Sequence, residues 1–331
     1  MAPSQPLVSV VIPSYERPDL LVRAVASARA QTFDAIEIIV VLDGSQPAAA
    51  AALSGIDDPR LRVITLPGHA GRGPATNAGV DAARADWIAL LDDDDEWMPD
   101  KLRVQWQAAQ SSHAALPIVA CRFIARTAAG DQIWPHRLPQ PGESFGDYLL
   151  VQSGLRGGEG MLLPSTLLIR RDLVVRERFG RLPQFIDLDW LLRVERRPGV
   201  AAVYVETRRP LAVWHLTPAR RHISGSRDWR SAVGFLEAHR ALLSPRAQVA
   251  FLLTQVSMAA ARSRDWPVFF RLVLQSFRFG RPRPIDLGAH LAIWLTGRDT
   301  RVRLLNSFDR LRGRARRLAH REPPREPRVV S

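Results

Sequence analysis

Five consecutive acidic side chains follow an apolar run in the stretch ALLDDDDEW, residues 89–97. Neighbouring carboxylates repel one another, and some of their pKa values rise unless a cation compensates the charge. One explanation is a divalent metal bound through carboxylate oxygens, with its remaining coordination positions given to the phosphates of a ligand. The other is a helix N-terminus, because Pro99 suits a first turn and the macrodipole favours acidic residues there. The helix explains Asp95, Glu96 and Asp100, whereas three aspartates that emerge directly from a strand favour the metal.

Strands and helices alternate in the part of the chain that leads to this acidic run. Leu7–Pro13 (LVSVVIP) and Ile36–Asp43 (IEIIVVLD) are short, β-branched apolar runs that are typical of buried parallel strands. Apolar residues at helical spacing predict a helix between them, from Pro18 to Gln31. The unit recurs as a strand over 61–66, a helix over 74–85 and a strand over 86–91. This alternation predicts an α/β fold with a doubly wound, mostly parallel sheet flanked by helices.

Ligands of such sheets bind beyond the carboxyl ends of the strands. Asp43 and the run Asp92–Asp95 both follow predicted strands, so we expect one crevice to hold both. The later predicted elements are a helix over 99–110, a strand over 118–126, a Pro- and Gly-rich segment over 134–160 with one short helix near Tyr148, a strand over 165–170, a helix over 187–196, and strands over 201–205 and 211–214.

Composition indicates a globular chain. Its 331 residues are 46% hydrophobic, which is enough for a sizeable core. A single cysteine, Cys121, excludes an intramolecular disulfide framework and favours a reducing compartment, so we expect a cytoplasmic protein. No basic segment precedes the first apolar run, and the longest uncharged apolar stretch in the C-terminal part, 247–261, is too short to span a bilayer. We therefore expect neither a signal sequence nor a transmembrane helix.

Positive charge is concentrated in the last third of the chain. Residues 1–215 contain 23 Lys and Arg against 25 Asp and Glu, whereas residues 216–331 contain 23 against 8. We predict an α/β domain over 1–225, a basic helical region over 226–320 and a disordered tail over 321–331. The basic region fits a solvated arginine-rich surface or an anionic membrane surface, because aromatic, leucine and arginine residues are interleaved in it. Nucleic acid is not expected, since no recognisable nucleic-acid-reading motif accompanies the charge.

Several segments together resemble a known family. VSVVIPSYERPDLLVRAVASARAQTF, EIIVVLDGS, GRGPATNAGV and DWIALLDDDDEWMPDKL are similar, in order and spacing over roughly residues 7–105, to the nucleotide-sugar-binding half of the family two glycosyltransferases. That family has a GT-A fold. LPQFIDLDWLLRV further resembles the acidic catalytic motif of the family, E-D-x-D-x-x-x-R.

The resemblance implies a donor site and a metal site. Pro13, Tyr15 and Glu16 would line the base and ribose pocket, and Asp43 would hydrogen-bond the base. Asp92 and Asp94 match the outer residues of the D-x-D motif. These two aspartates would bind Mg²⁺ or Mn²⁺, with Asp94 as the direct ligand, and the metal would stabilise a nucleoside diphosphate as leaving group. Asp93 would fix the loop or contact the donor sugar.

The resemblance also implies an acceptor side. Asp187 falls at the position of the catalytic base, which removes the proton from an attacking acceptor hydroxyl; the alternative is a structural aspartate in a first helical turn. Asp189 and Arg193 are four residues apart and are expected to form a structural pair. Two positions depart from the family pattern. Ile186 stands where the family commonly has glutamate, and Thr76 stands where it commonly has a basic residue.

Three further residues are open to two interpretations each. Arg72 is either a contact to the donor diphosphate or a solvated loop arginine. His215 and His222 lie where the family often has a histidine in a loop that closes over the diphosphate, sometimes as a further metal ligand. Neither histidine has a spacing that decides between this role and an ordinary structural one.

The sequence thus predicts an inverting glycosyltransferase that uses a nucleotide-sugar donor and a glycan or lipid-linked acceptor. A sugar-phosphate nucleotidyltransferase is the alternative within enzymes, but it would carry a G-x-G-T-R loop after the first strand, where this chain has PSYERP. A non-catalytic protein that binds nucleotide sugars or membrane surfaces is the alternative outside enzymes. The presence of both Asp94 and Asp187 argues against it.

Overall fold

The protein folds into two sheets flanked by helices. The computed structural model describes residues 5–128, 130–152, 159–216, 228–262 and 265–296. The strands are β1 (Val8–Ser14), β2 (Ile36–Leu42), β3 (Leu61–Thr65), β4 (Trp87–Leu90), β5 (Glu96–Trp97), β6 (Leu116–Ala120), β7 (Phe123–Thr127), β8 (Gly130–Trp134), β9 (Leu167–Arg170), β10 (Val200–Tyr204) and β11 (Ala212–Leu216).

The helices lie on both faces of the larger sheet and in the C-terminal part. They are α1 (Pro18–Arg29), α2 (Pro47–Ser54), α3 (Arg72–Ala82), α4 (Lys101–Ser111), α5 (Phe145–Leu150), α6 (Arg171–Arg176), α7 (Ile186–Val194), α8 (Trp229–Ala238), α9 (Pro245–Phe251), α10 (Ser257–Ala260), α11 (Trp266–Phe279) and α12 (Pro284–Leu295). A π-helical turn, Leu252–Val256, joins α9 to α10.

The larger sheet has seven strands in the order β10, β6, β9, β4, β1, β2, β3. Only β9 runs antiparallel to its neighbours β4 and β6; the other pairs are parallel. All residues of β1, β2 and β4 are buried, as expected for parallel strands covered on both faces. Because β1 pairs in parallel with both β2 and β4, the loops after these three strands meet at one edge of the sheet. The predicted mostly parallel α/β sheet is confirmed.

Two core layers cover the two faces of this sheet. Side chains alternate along a strand, so Val10 packs with the layer of α1, α2 and α4, while Val11 packs with the layer of α3, α5, α6 and α7. In α1 the buried side chains Leu21, Ala24, Val25 and Ala28 recur at helical spacing. A third core joins the C-terminal helices to α5 and α7 through Leu150 and Leu192.

The smaller sheet contains four strands in the order β5, β11, β7, β8. It explains two differences from the predicted elements. The single strand expected over 118–126 is divided at Cys121 and Arg122 into β6 and β7, which belong to different sheets. Glu96 does not lead into a helix, because it pairs with Val213 of β11 and the helix begins only at Lys101.

The described residues between 228 and 296 contain helices α8 to α12. Among the helices in the described ranges, none combines the length and the hydropathy that a bilayer span requires. The predicted disordered tail over 321–331 and His222 both lie outside the described residues.

Helix α3 approaches the larger sheet closely at Gly79. A Cβ atom at this position would lie 2.4 Å from Val11 Cγ1 and 3.1 Å from Val41 Cγ2. We expect Gly79→Ala to lower the free energy of unfolding by about 1–3 kcal/mol, because the added methyl group overpacks the interface between helix and sheet. Urea denaturation followed by circular dichroism measures this change.

Gly234 provides the matched control, since it is exposed in α8 and a Cβ there would meet nothing within 4 Å. Gly234→Ala should stabilise the protein by about 0.5–1 kcal/mol through helix propensity alone. Equal effects of the two substitutions would contradict the close packing of α3.

Candidate active site

Asp93 fastens the acidic run to the end of the neighbouring strand β1. Its carboxylate accepts hydrogen bonds from Ser14 Oγ at 2.8 Å and from the Tyr15 amide at 3.4 Å, and Arg17 Nη1 lies 3.2 Å from its second oxygen. Burial raises the pKa of Asp93, whereas Arg17 and the two hydrogen bonds oppose this rise. Of the two roles expected for Asp93, these contacts correspond to fixing the loop.

Asp92, Asp94 and Asp95 form a cluster of carboxylates. One oxygen from each lies within 4.8 Å of the others. Ser165 supports two of them, because its hydroxyl accepts from the Asp92 amide at 3.0 Å and donates to Asp95 Oδ2 at 2.6 Å. Burial, together with the neighbouring carboxylates, raises the pKa of Asp92 to about 7 against the lowering effect of Arg72.

These oxygens suit a hard divalent cation such as Mg²⁺ or Mn²⁺, which prefers carboxylate ligands. The sequence pattern predicts that Asp95 lies at the start of a helix, and therefore does not predict it as a metal ligand. Its position directly after Asp94 was the only available signal, and the Ser165 contact that orients it comes from a segment 70 residues away.

Arginines from α1 and its N-terminal flank compensate part of this negative charge. Arg17 Nη1 lies 3.1 Å from Asp94 Oδ2, and Arg23 donates to the Asp94 carbonyl oxygen at 2.9 Å. Arg23 also pairs with Glu96, whose Oε1 lies 2.6 Å from His215 Nε2. His215 therefore approaches the acidic run at Glu96, two residues beyond Asp94.

Arg72 connects the acidic run to the predicted base. It is the first residue of α3; its Nη2 forms an ion pair with Asp187 in the first turn of α7, and its Nε lies 3.6 Å from Asp92 Oδ1. The Arg72 guanidinium is about one quarter exposed. Despite burial, its pKa is raised by Asp187 and Asp92. The structure thus brings Asp187 and Asp92 to the same guanidinium.

Gly73 allows α3 to pack closely against the segment that precedes α7. A Cβ on Gly73 would lie 2.2 Å from the Gly180 carbonyl oxygen, so a larger residue would push α3 away from the segment that precedes α7. Asn77 fixes the same contact, because its side chain exchanges hydrogen bonds with the backbone of Phe179 at 2.9 and 3.0 Å.

Asp43 holds the loop that precedes Arg72. Its buried carboxylate accepts from the amides of Ala70 at 2.6 Å and Gly71 at 2.9 Å, and His69 Nδ1 lies 2.8 Å from it. The rings of His69 and Tyr15 are 4.0 Å apart, between centroids. His69 had no recognisable signal in the sequence, because its contacts join loops that follow different strands.

Two other predicted donor residues frame the same edge of the sheet. Pro13 is buried within β1, and Glu16 is exposed with a positive φ of 55°. The Glu16 amide donates to Gln46 Oε1 at 2.7 Å, so its backbone conformation is held by the loop after β2. Pro13, Tyr15, Glu16, Asp43 and Arg72 therefore follow or end neighbouring strands, as the predicted crevice requires.

A sequence profile described as "Glycosyl transferase family 2" matches residues 9–176 of this chain. Among similar proteins, the succinoglycan biosynthesis protein ExoO of Rhizobium meliloti is 42% identical over 113 residues, which are 34% of this chain and 32% of ExoO. An uncharacterised glycosyltransferase of Haemophilus influenzae is 30% identical over 181 residues, or 54% of this chain and 68% of that protein. The amylovoran biosynthesis glycosyltransferase AmsB of Erwinia amylovora is 24% identical over 63% of this chain and 69% of its own.

The matched region covers about a third of ExoO and of ExoW, the second succinoglycan biosynthesis protein of Rhizobium meliloti. Among solved structures, TarS residues 1–349 of S. aureus in complex with UDP-GlcNAc superposes with a TM-score of 0.55 at 16% identity, over 77% of this chain and 70% of that one. The same protein with UDP gives a TM-score of 0.51. This likeness confirms the fold.

The carboxylate cluster predicts a metal site that does not need any other ligand to form. We expect Mn²⁺ alone to bind the unmodified protein in calorimetry, and Asp94→Asn to weaken this binding by at least tenfold, because one anionic oxygen ligand is lost. Asp86→Asn is the control, since Asp86 is exposed at the opposite end of β4. Unchanged Mn²⁺ affinity in Asp94→Asn would contradict the assignment of this residue as a ligand.

Proposed function

The chain belongs to glycosyl transferase family 2, and on this premise we propose that it is an inverting enzyme that transfers a sugar from a nucleoside diphosphate donor to an acceptor hydroxyl. One observation supports the proposal most: Arg72 links a possible catalytic base, Asp187, to the carboxylate cluster at the end of β4. Base and cluster would then act from a common space at the carboxyl edge of the sheet, where ligands of such sheets bind.

The donor would lie over the loops that follow β1, β2 and β4. Tyr15 stacks with His69 beside the buried Asp43, and these residues would frame the base and ribose. Asp92, Asp94 and Asp95 would hold Mg²⁺ or Mn²⁺, which when bound would neutralise the diphosphate and stabilise it as leaving group. The S. aureus TarS structure is a complex with UDP-GlcNAc, which supports a nucleotide-sugar donor for this fold.

Asp187 would act as general base. The acceptor oxygen would attack the anomeric carbon of the donor sugar and form the new glycosidic bond while its proton passes to a carboxylate oxygen of Asp187. The bond between the anomeric carbon and the diphosphate oxygen would break with its electron pair on the diphosphate. Attack from the side opposite the leaving group inverts the configuration in a single displacement.

Arg72 would serve both halves of this reaction. Its ion pair fixes the position of the Asp187 carboxylate in the first turn of α7. The same guanidinium lies beside Asp92, so a diphosphate bound at the carboxylate cluster would offer it a second anionic partner. Transfer of Arg72 to the diphosphate would leave Asp187 free to receive the acceptor proton.

The acceptor is proposed to be a glycan or a lipid-linked glycan. The names of ExoO, AmsB and a putative teichuronic acid biosynthesis glycosyltransferase of Bacillus subtilis refer to bacterial polysaccharides, which supports polysaccharide assembly. We propose that residues 1–225 carry donor binding and catalysis and that residues 226–320 form a basic helical region, since the described helices of that region supply most of the third core.

We further propose that the basic region contacts an anionic membrane surface through α11. Trp266, Phe270, Leu274 and Phe277 recur at helical spacing and are 46–71% exposed, on the side opposite the buried Val268, Leu272 and Ser276. A helix of a globular protein normally presents polar residues on its outer side. Arg271 and Arg278 are exposed beside this apolar stripe, and residues 297–331 add 11 arginines against 4 acidic residues. Apolar insertion flanked by cations is the pattern of interfacial helices.

Asp187→Asn tests the base. We expect the variant to bind UDP with Mn²⁺ as tightly as the wild type and to transfer sugar from nucleotide sugars to a lipid-linked glycan extract at least 100-fold more slowly, because an amide cannot accept the proton. Asp131→Asn, in an exposed ion pair with Arg126, is the control. Wild-type transfer by Asp187→Asn would assign the base to another residue.

Vesicle flotation tests the membrane surface. The triple variant Phe270→Ser, Leu274→Ser and Phe277→Ser should lose at least tenfold in partition onto vesicles with 30% phosphatidylglycerol, because it removes the exposed apolar stripe. Wild-type protein should bind pure phosphatidylcholine vesicles far more weakly. Ile133→Ser with Leu138→Ser, both exposed elsewhere, is the control pair. Equal partition of both variants, or a changed oligomeric state in light scattering, would contradict the proposal.

A further inference from the structure

Phe185, the residue before α7, has an unusual backbone conformation. Its φ of 60° and ψ of 25° lie in the left-handed region. This region is unfavourable for a bulky residue, because Cβ crowds the following carbonyl oxygen. Such a conformation persists where the surrounding structure enforces it. Asp187 is only two residues further along the chain, so whatever holds Phe185 also sets the direction in which α7 begins.

The C-terminal helices hold Phe185. Its ring packs against Phe235 of α8 and Phe251 of α9, with centroid distances of 5.0 Å in both pairs. Phe235 and Phe251 also contact each other at 5.5 Å. The side chain that precedes α7 is therefore anchored in the third hydrophobic core, whereas the rest of the acidic site is built on the larger sheet.

A second contact joins the first turn of α7 to the end of α8. The Asp189 amide donates to the Phe185 carbonyl oxygen at 2.8 Å, so Asp189 belongs to the same turn. Its carboxylate lies 2.7 Å from His239 Nε2 and accepts from Arg193 at 2.8 Å. Arg193 is in turn held by Glu177 at 2.8 Å. The ion pair predicted between Asp189 and Arg193 is confirmed, and His239 extends it to another element.

The contacts of His239 determine its protonation. Nδ1 lies 2.8 Å from the Phe235 carbonyl oxygen, and Nε2 lies 2.7 Å from Asp189 Oδ1. A carbonyl and an ionised carboxylate only accept hydrogen bonds, so both ring nitrogens must carry a proton. These contacts favour the imidazolium form beside an ionised Asp189, which also accepts hydrogen bonds from the Arg193 guanidinium.

We propose that the C-terminal helices position the catalytic base, with His239 acting through Asp189 and the Phe235–Phe251 pair acting through Phe185. His239 is a positioning residue, because its contact is to Asp189 and not to Asp187 or to the acidic run. The inference rests on the proposed function only where it calls Asp187 the base. The attachment of α7 to α8 stands on the contacts themselves.

This attachment should weaken as the pH rises. The hydrogen bond to Asp189 raises the pKa of His239, while burial and Arg193 oppose this rise. A group whose pKa is raised by folding contributes its full stabilisation below its unfolded pKa, about 6.5, and loses it as the pH passes the folded value. Asp189 has a lowered pKa despite its burial, because His239 and Arg193 donate to it, so it stays ionised over this range.

Hydrogen exchange measured by mass spectrometry tests the proposal on the full chain. Peptides that cover 186–194 report α7, and peptides that cover β1 and β2 report global stability. We expect His239→Gln to lower the protection factors of α7 by about tenfold at pH 6, because a neutral amide replaces a charged donor. The difference from wild type should shrink as the pH rises through the pKa of His239, because the wild-type imidazole then loses its charge as well. His113→Gln is the matched control, since His113 is exposed.

Two outcomes would overturn the proposal. One is an unchanged protection of α7 in His239→Gln at pH 6. The other is an equal loss in β1 and β2 at both pH 6 and pH 9, which would indicate an ordinary stability defect. His239→Lys provides a rescue experiment. A lysine that contacts Asp189 should keep the amides of α7 protected from hydrogen exchange at pH 9. If His239→Gln loosens α7 while Asp187→Asn transfers sugar normally, the attachment stands and the assignment of the base fails.

Discussion

The concentration of negative charge at the carboxyl edge of the larger sheet is the constraint on which the site depends. The buried strand β4 delivers four aspartates into a partly buried loop, where ionised carboxylates are destabilised by desolvation and by one another. Among the described residues, three arginines compensate this negative charge: Arg17 before α1, Arg23 within α1 and Arg72 at the start of α3. Each arginine connects a flanking element to the acidic run. The contacts that compensate the charge therefore also fix the geometry of the loop.

The two halves of the site have different structural origins. Donor-side residues are placed by parallel strands whose ends meet at one edge, and the family profile, which covers 9–176, includes all of them. Asp187 lies beyond that range, on a helix whose first turn is attached to α8 and α9. Arg72 is the contact that unites the halves. The proposed acceptor side therefore rests on elements outside the range that the family profile matches.

The sequence predicted what depends on short-range patterns. The β-branched runs of β1 and β2 predicted buried parallel strands, and the helical spacing in α1 predicted its buried face. The division of 118–126 at Cys121 could not be predicted, because only the pairing of β7 with β11 moves the chain to a second sheet. The roles of Asp95, His69 and His239 were missed for the same reason. Each depends on a partner from a distant segment, and the single sequence contains no pattern that relates the two.

The loop after β1 also separates this enzyme from the nucleotidyltransferase alternative. A phosphate-binding glycine loop presents free backbone amides to its ligand. Here the Tyr15 amide donates to Asp93 and the Glu16 amide donates to Gln46, so both are already engaged by side chains of the protein. An anionic carboxylate beneath the loop would in addition repel a phosphate placed directly on it. These contacts favour the proposed arrangement, in which the diphosphate of a donor would lie beside Arg72 and a bound cation and not on this loop.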